Sequence, residues 1–261
     1  MAETKVAVET EGLVRSFGEL RAVDGLDLSV ARGSFFGFLG PNGAGKSTTL
    51  KILTGLLEPT AGTARILGFD VVRNPREAKA LIGVVPEELM LFDRLSGTEY
   101  LELVGRLYGM PRVEIASRSE ELLDVLGLAD AGSRLIVDYS HGMQKKLSLA
   151  AAILHDPEVL FLDEPFEGID AVAARLIKNI LNRLRDRGVT VFLTSHILEI
   201  VERLCTDIAI IDHGRLVAHG TLEELRRGVP ARNGRPSTLE ELFLSLVGGE
   251  EINGGELSWI E

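Results

Sequence analysis

The chain has 261 residues, 45% of them apolar, and a net charge of −11. That is enough apolar material to bury a full core, and the acidic balance argues against wholesale binding to nucleic acid or anionic lipid, both of which require a basic face. A single cysteine, Cys205, excludes an internal disulfide and suits a reducing compartment; no apolar run approaches the ~20 residues that cross a bilayer, and the acidic-polar opening MAETKVAVETEG lacks a signal-peptide core, so the chain is not expected to enter a membrane by itself.

Residues 5–31 alternate imperfectly between apolar and polar, with Gly12, Gly18, Gly25 and Gly33 as punctuation. The pattern predicts short antiparallel strands and hairpins. Phe17 ends one of them and reads either as a core aromatic or as a platform for a nucleobase. Ser34–Leu39 is a short apolar run, and Leu50, Leu53 and Leu57 recur at helical spacing. Between them stands Gly40-Pro41-Asn42-Gly43-Ala44-Gly45-Lys46-Ser47-Thr48, which fits the phosphate-binding pattern G-x-x-x-x-G-K-[ST]. In such a loop backbone N–H groups turn inward around the β- and γ-phosphates, and the glycines are expected because a Cβ would obstruct that approach. Lys46 adds a point charge, the Ser47 hydroxyl can ligate Mg²⁺, and the helix N-terminus faces the anion. An ordinary glycine-rich turn is the alternative; four fixed positions coincide by chance on the order of once in a hundred chains of this length.

Ala61–Phe69 reads as a strand, Asn74–Leu81 as a helix, and Ile82–Val85 as a buried strand that stops at Pro86. The loop Glu87–Asp93 carries Leu89, Met90, Leu91 and Phe92, either as an exposed docking surface or as side chains packed beneath neighbouring helices. Helices are predicted over Gly97–Tyr108, with Tyr100, Leu101, Val104 and Leu107 on one face, and over Val113–Leu126. A third starts at Ser140 as N-cap and carries Met143, Leu147, Leu149, Ala150 and Ile153. This block interrupts an α/β alternation and reads as an inserted helical subdomain.

Val159–Leu162 then runs into Asp163-Glu164-Pro165. Two carboxylates ending a strand buried on both faces are costly unless something cationic compensates. In P-loop enzymes the first of them holds Mg²⁺, and the strand is expected beside the P-loop strand; the alternative is that the pair caps the next helix. Ala171–Arg187 reads as an amphipathic helix, and Val189–Leu193 as a strand ending at Thr194-Ser195-His196. Of five histidines, His196 alone has an informative setting, the C-terminal edge of a core strand where ligands collect. Residues 206–219 form a strand, a turn at Gly214 and a returning strand. Helices Leu222–Arg227 and Leu239–Val247 close the fold, and the acidic stretch Gly249–Glu261 is expected to be loosely ordered.

In order and spacing these motifs resemble one family over roughly residues 5–225, the ATPase subunit of ATP-binding cassette (ABC) transporters. Gly40–Thr48 corresponds to its Walker A loop and Val159–Glu164 to its Walker B strand. Tyr139-Ser140-His141-Gly142-Met143 stands where the family usually has Leu-Ser-Gly-Gly-Gln. Gly168-Ile169-Asp170 matches the loop after Walker B, His196 the switch histidine, and Phe17 the aromatic against adenine. Ser237–Phe243 looks like the exporter-type branch, whose membrane-spanning subunits are separate.

The resemblance implies an α/β fold: a P-loop NTPase core (1–87 and 157–220) with an N-terminal antiparallel β subdomain, an inserted helical subdomain (88–156) carrying the signature, C-terminal helices (221–248) and an acidic tail (249–261). It implies an ATP-hydrolysing subunit using Mg²⁺, with Lys46, Glu164 and His196 catalytic. Phe17, Gly40, Pro41, Asn42, Gly43, Ala44, Gly45, Lys46, Ser47, Thr48, Ser140, Gly142 and Asp170 would bind nucleotide, and Ser47, Asp163 and Glu87 the metal. Two copies would pack head to tail around two ATP molecules, Ser140 of each reaching the γ-phosphate held by the other. Permease subunits would hold the pair on the cytoplasmic face of the cell membrane, with no nucleic-acid partner.

Two positions depart from the family. Glu87 replaces the usual glutamine, adding negative charge near the γ-phosphate, and is expected to slow hydrolysis or alter the Mg²⁺ requirement. His141 puts a Cβ where phosphate normally approaches bare backbone; its ring either points away or adds charge when protonated. A soluble cassette acting on ribosomes or DNA is the alternative function, disfavoured by one P-loop, one signature and no sustained heptads. A weakly hydrolysing nucleotide-binding regulator is the other, and retention of Glu164 and His196 counts against it.

Overall fold

The structure, a computed structural model, describes residues 5–227 and 238–247; Ser237 and the acidic stretch 249–261 lie outside the described residues. β1 (Val6–Phe17) and β2 (Leu20–Ala31) form one long hairpin instead of several short ones. Gly12 and Gly25 do not turn the chain. They fall where the register between the two strands shifts, so each marks a bulge inside a continuous ribbon. After β3 (Phe35–Leu39) and α1 (Lys46–Leu53), the segment expected as one strand is two, β4 (Ala61–Ile66) and β5 (Phe69–Asp70), folded back at Leu67 and Gly68, both with positive φ. These strands give an antiparallel sheet in the order β2-β1-β4-β5.

The chain continues through α2 (Pro75–Ala80) and β6 (Ile82–Val85). Next come α3 (Gly97–Leu107), α4 (Arg112–Val125) and α5 (His141–Ile153), the helical insertion, before β7 (Val159–Asp163) resumes the sheet. α6 (Ala171–Asp186), β8 (Thr190–Thr194), α7 (Leu198–Leu204), β9 (Asp207–Asp212) and β10 (Arg215–Thr221) follow, then α8 (Leu222–Arg227) and α9 (Leu239–Val247). The second sheet runs β10-β9-β3-β8-β7-β6, parallel except for β10.

That order corrects one expectation. β7 is not beside the P-loop strand, because β8 lies between them. Both neighbours of β8 are apolar runs buried on two faces, and such runs carry no signal of which one pairs with which.

Strand alternation divides the apolar interior in two. Phe36, Phe38, Phe161 and Phe192 point to the antiparallel sheet and α1, packing with Val8, Leu13, Leu26 and Val30. Phe35, Leu39, Leu160, Leu162 and Leu193 point the other way, onto the helical insertion and α6. The Phe192 ring lies 5.2–5.4 Å from those of Phe36, Phe38 and Phe161, so a cluster of aromatics locks the three central strands from one side.

Two further differences concern the insertion. Leu107 is exposed, and the stripe of α3 facing the core is Leu101 and Gly105, where a Cβ would come within 2.6 Å of Ile115. Tyr100, Val104 and Leu107 line a neighbouring groove together with Met90 and Leu91. The loop splits evenly: Met90 and Phe92 are exposed, whereas Leu89 and Leu91 are half-buried.

Candidate active site

β3, β8 and β7 end level with one another, Phe38 paired with Thr194 and Thr194 with Asp163. The loop from Gly40 to Gly45 leaves β3 at this edge and feeds α1. Gly45, at the N-cap position, has φ 104, and neither a side-chain cap nor a first-turn acid occupies the end of the helix. Its leading N–H groups are therefore available to an anion. Two of the glycines also answer to packing within the chain. A Cβ on Gly45 would stand 2.2 Å from the Ala22 carbonyl oxygen, and one on Gly40 would stand 2.4 Å from that of Ile211. Their absence of side chain serves the packing of loop against backbone; only Gly43 faces open space.

Lys46 Nζ donates to the carbonyls of Gly40 (2.7 Å) and Pro41 (3.2 Å), so the ammonium is held at the loop mouth by oxygens of its own chain. Burial pushes it below the usual lysine range, while Glu164, Asp163 and Glu87 pull the other way. Around it a cleft of about 560 Å³ is lined by Phe17, Pro41, Asn42, Gly43, Gly45, Lys46, Ser47, Thr48, Glu87, Asp163, Glu164 and His196 among others. Phe17 is 46% exposed there, which overturns the reading as a core aromatic.

At the far end of the cleft the Asp163 carboxylate and the Glu164 backbone are fixed by a residue the sequence reading passed over. The Thr194 hydroxyl donates to Asp163 Oδ1 and accepts from the Glu164 N–H (3.1 Å). Glu164 has φ 47, a strained value for a residue with a side chain. Its carbonyl accepts from the buried Lys145 Nζ at 2.7 Å, and its Oε2 lies 3.0 Å from His196 Nδ1 and 3.3 Å from the His196 N–H. Backbone and side chain are thus held from three directions. Lys145 sits in α5 next to Lys146, and nothing in that pair marks one lysine as buried. A hydroxyl closing the run Thr190–Thr194 was the legible signal for Thr194.

Neither Asp163 nor Glu164 caps the following helix. Asp170 does so, its Oδ1 accepting from Val172 N (2.8 Å) and Ala173 N (2.9 Å), bonds that hold its carboxyl below the usual range. Glu87 is displaced in the opposite direction, raised by burial and then by Asp163, Glu167 and Glu164.

Not every expected residue meets the cleft. Gly40 and Ala44 lie behind the loop surface, while Ser140, Gly142 and Asp170 lie outside the cleft altogether. Ser140 is the N-cap of α5, accepting from Met143 N at 3.3 Å. The His141 ring leans on its own chain, 3.1–3.2 Å from where a Cβ on Gly168 would be. His155, expected to be uninformative, is half-buried: it stacks on Tyr108 at 3.6 Å, bonds the Ile82 carbonyl at 2.9 Å, and is pushed below the usual histidine range by burial.

A parallel sheet with a glycine loop, a lysine and a helix N-terminus at its C-terminal edge defines a P-loop nucleoside triphosphatase. The chain belongs to the ABC transporter family, whose family model matches residues 23–167. It is similar to the daunorubicin/doxorubicin resistance ATP-binding protein DrrA of Streptomyces peucetius, 46% identical over 220 residues that make up 84% of this chain and 67% of the relative. It is also similar to the Nod factor export ATP-binding protein I of Rhizobium sp. (strain N33), at 38% over 97% of this chain and 86% of that one. Among solved structures, the ATP-binding subunit of an ABC transporter superposes with a TM-score of 0.86 at 31% identity, covering 92% of this chain and 99% of the other. The chain is therefore the ATP-binding, ATP-hydrolysing subunit that powers an ABC transporter, and neither alternative function is favoured. Among the described residues no helix is long and apolar enough to cross a membrane.

Proposed function

We propose that the chain works as a head-to-tail homodimer that closes around two Mg·ATP on the cytoplasmic face of an export permease. Phe17 carries the adenine, and the loop amides with Lys46 hold the β- and γ-phosphates. Ser47, Asp163 and Glu87 share the cleft with Lys46 and have the hard oxygen donors that suit Mg²⁺; they would hold the ion, which would neutralise phosphate charge. Glu164 accepts the proton of the attacking water, with His196 fixing its carboxylate from 3.0 Å away. The names of the relatives, drug resistance and Nod factor export, support an outward direction. The groove along Met90, Leu91, Tyr100, Val104 and Leu107 offers the permease an apolar seat.

The observation that carries this reading is the division of the motifs. Ser140 and Gly142 lie away from their own cleft, and a Cβ on Gly142 would meet nothing within 4 Å. A bare glycine in the first turn of a helix, unneeded by its own packing, suits close approach by a phosphate from another copy. Ser140 accepts from Met143 N and keeps its hydroxyl proton free to donate. Sedimentation tests it: ATP is expected to convert monomer to dimer and ADP is not, with Ser140→Glu staying monomeric while still binding ATP. Dimerisation that ignores the nucleotide, or that survives Ser140→Glu, would refute the arrangement. Co-purification from membranes is expected to bring down a hydrophobic permease.

Glu87 supplies a second expectation. Its raised pKa keeps it protonated to a higher pH than an ordinary glutamate, so Mg²⁺ affinity should strengthen as pH climbs through the mildly acidic range. Glu87→Gln should flatten that dependence, raise the Mg²⁺ concentration for half-maximal activity, and raise kcat about fivefold by removing one charge near the γ-phosphate. Steady-state ATPase assays over pH and Mg²⁺ check this; identical profiles for both proteins would count against a role for Glu87 at the metal.

A further inference from the structure

Arg15 and Phe17 are two apart on β1 and so share a face of the sheet. The guanidinium carbon lies over the Phe17 ring, 4.5 Å from its centroid. Nη1 donates to the Glu58 carbonyl at 2.9 Å, in the loop that leads from α1 into β4. The same loop is clamped to the strand end twice more: Thr60 N donates to the Val14 carbonyl at 2.7 Å, and Thr60 Oγ1 accepts from Ser16 N at 3.0 Å. Nε is buried without a partner. An arginine that leaves a buried donor unpaired, yet keeps its charge above an aromatic ring, is held there by the ring and by the loop beneath it.

We infer that Arg15 is a positioning residue for nucleotide binding: it covers one face of Phe17 and presents the other to the base. The inference rests on the reading of Phe17 as the adenine platform and extends it. Phe17 is 46% exposed at the lip of the cleft, with Gly18 and Glu19 turning immediately after it, so packing alone does not fix its ring. A cation over the ring fixes it before nucleotide arrives, and the ordering cost is met in the empty protein. The charge also draws π density toward the arginine, leaving the opposite face better suited to the electron-rich adenine ring. The loop from α1 to β4 thereby joins the nucleotide site through one side chain, although none of its residues lines the cleft.

The effect belongs to the base and not to the phosphates. Equilibrium titrations of the full chain with ATP and with inorganic tripolyphosphate separate the two. Arg15→Ala is expected to weaken ATP about three- to fivefold, leave tripolyphosphate unchanged, and raise the KM for ATP while kcat holds. Arg15→Lys, which keeps a cation on a flexible stem, should recover part of the loss. Phe17→Ala should weaken ATP at least about fivefold, again with tripolyphosphate unchanged. If Phe17→Ala weakens ATP while Arg15→Ala leaves it within twofold of the parent, the role given to Arg15 is wrong and the platform reading stands. Equal losses of ATP and tripolyphosphate in Arg15→Ala would show a merely structural arginine. No change of ATP affinity in Phe17→Ala would overturn the platform reading and the role of Arg15 with it.

Discussion

Glu164→Gln is expected to lower kcat about 10³-fold while ATP still binds. A positioned general base contributes roughly 10²–10⁴ in rate, and glutamine preserves the shape of the side chain but cannot take a proton from water. The hydrogen bonds that place the residue are mostly made by its backbone, whose N–H donates to Thr194 and whose carbonyl accepts from Lys145, and those survive the change. The substitution therefore isolates the chemical step from the architecture. Rapid-quench measurement of phosphate release together with equilibrium ATP binding checks it, and in sedimentation the variant should accumulate as the ATP-bound dimer. A Glu164→Gln protein that turns over at the parental rate would remove Glu164 from the reaction.

Lys46→Ala fails at an earlier stage. The ammonium is buried and donates to the carbonyls of Gly40 and Pro41. Bound nucleotide would draw it onto phosphate oxygens, an exchange of neutral acceptors for charged ones. Alanine removes those charge-assisted bonds and leaves Asp163, Glu164 and Glu87 with less cationic compensation beside an anionic ligand. ATP affinity should fall about 10²-fold, equivalent to roughly 2.7 kcal/mol. Titration with ATP and with tripolyphosphate should show parallel losses, since Lys46 addresses phosphate and not base. That pattern is the reverse of the one expected for Arg15, and it guards against reading any loss of affinity as a loss of stacking.

Most of the fold was legible because its elements are bounded by strong local signals. The uninterrupted runs at Phe35–Leu39, Val159–Asp163 and Thr190–Thr194 are strands buried on both faces, and such runs have few other ways to satisfy themselves. Helix starts were legible too, beyond Ser140: Ser96 with Glu99, Thr221 with Glu224 and Thr238 with Glu241 all make the reciprocal cap that their spacing announces. What could not be read was adjacency. Nothing in β7 says that β8 stands between it and β3, and a glycine in a strand looks alike whether it turns the chain, as Gly18 does, or bulges it, as Gly12 and Gly25 do. In the site, residues carried by a motif could be singled out from the sequence, and residues that hold the motif in place could not. Thr194, Lys145 and Arg15 act through contacts distant in sequence, to Asp163 and Glu164, to Glu164, and to Glu58 respectively. His155 was missed for the same reason, its setting being made by Tyr108 and Ile82.

The bond from Lys145 to the Glu164 carbonyl ties together two elements that, in the proposed dimer, would serve different nucleotides. α5 begins at Ser140, which would reach the neighbouring copy's nucleotide, while Glu164 would act on its own. In the proposed dimer each chain is then a short rigid lever: its own triphosphate rests near one end and its neighbour's touches the other. When one γ-phosphate is lost, a tug on α5 would pass to the strained backbone of Glu164 one lysine away. The two sites would fire as linked events, each hearing the other through a single ammonium.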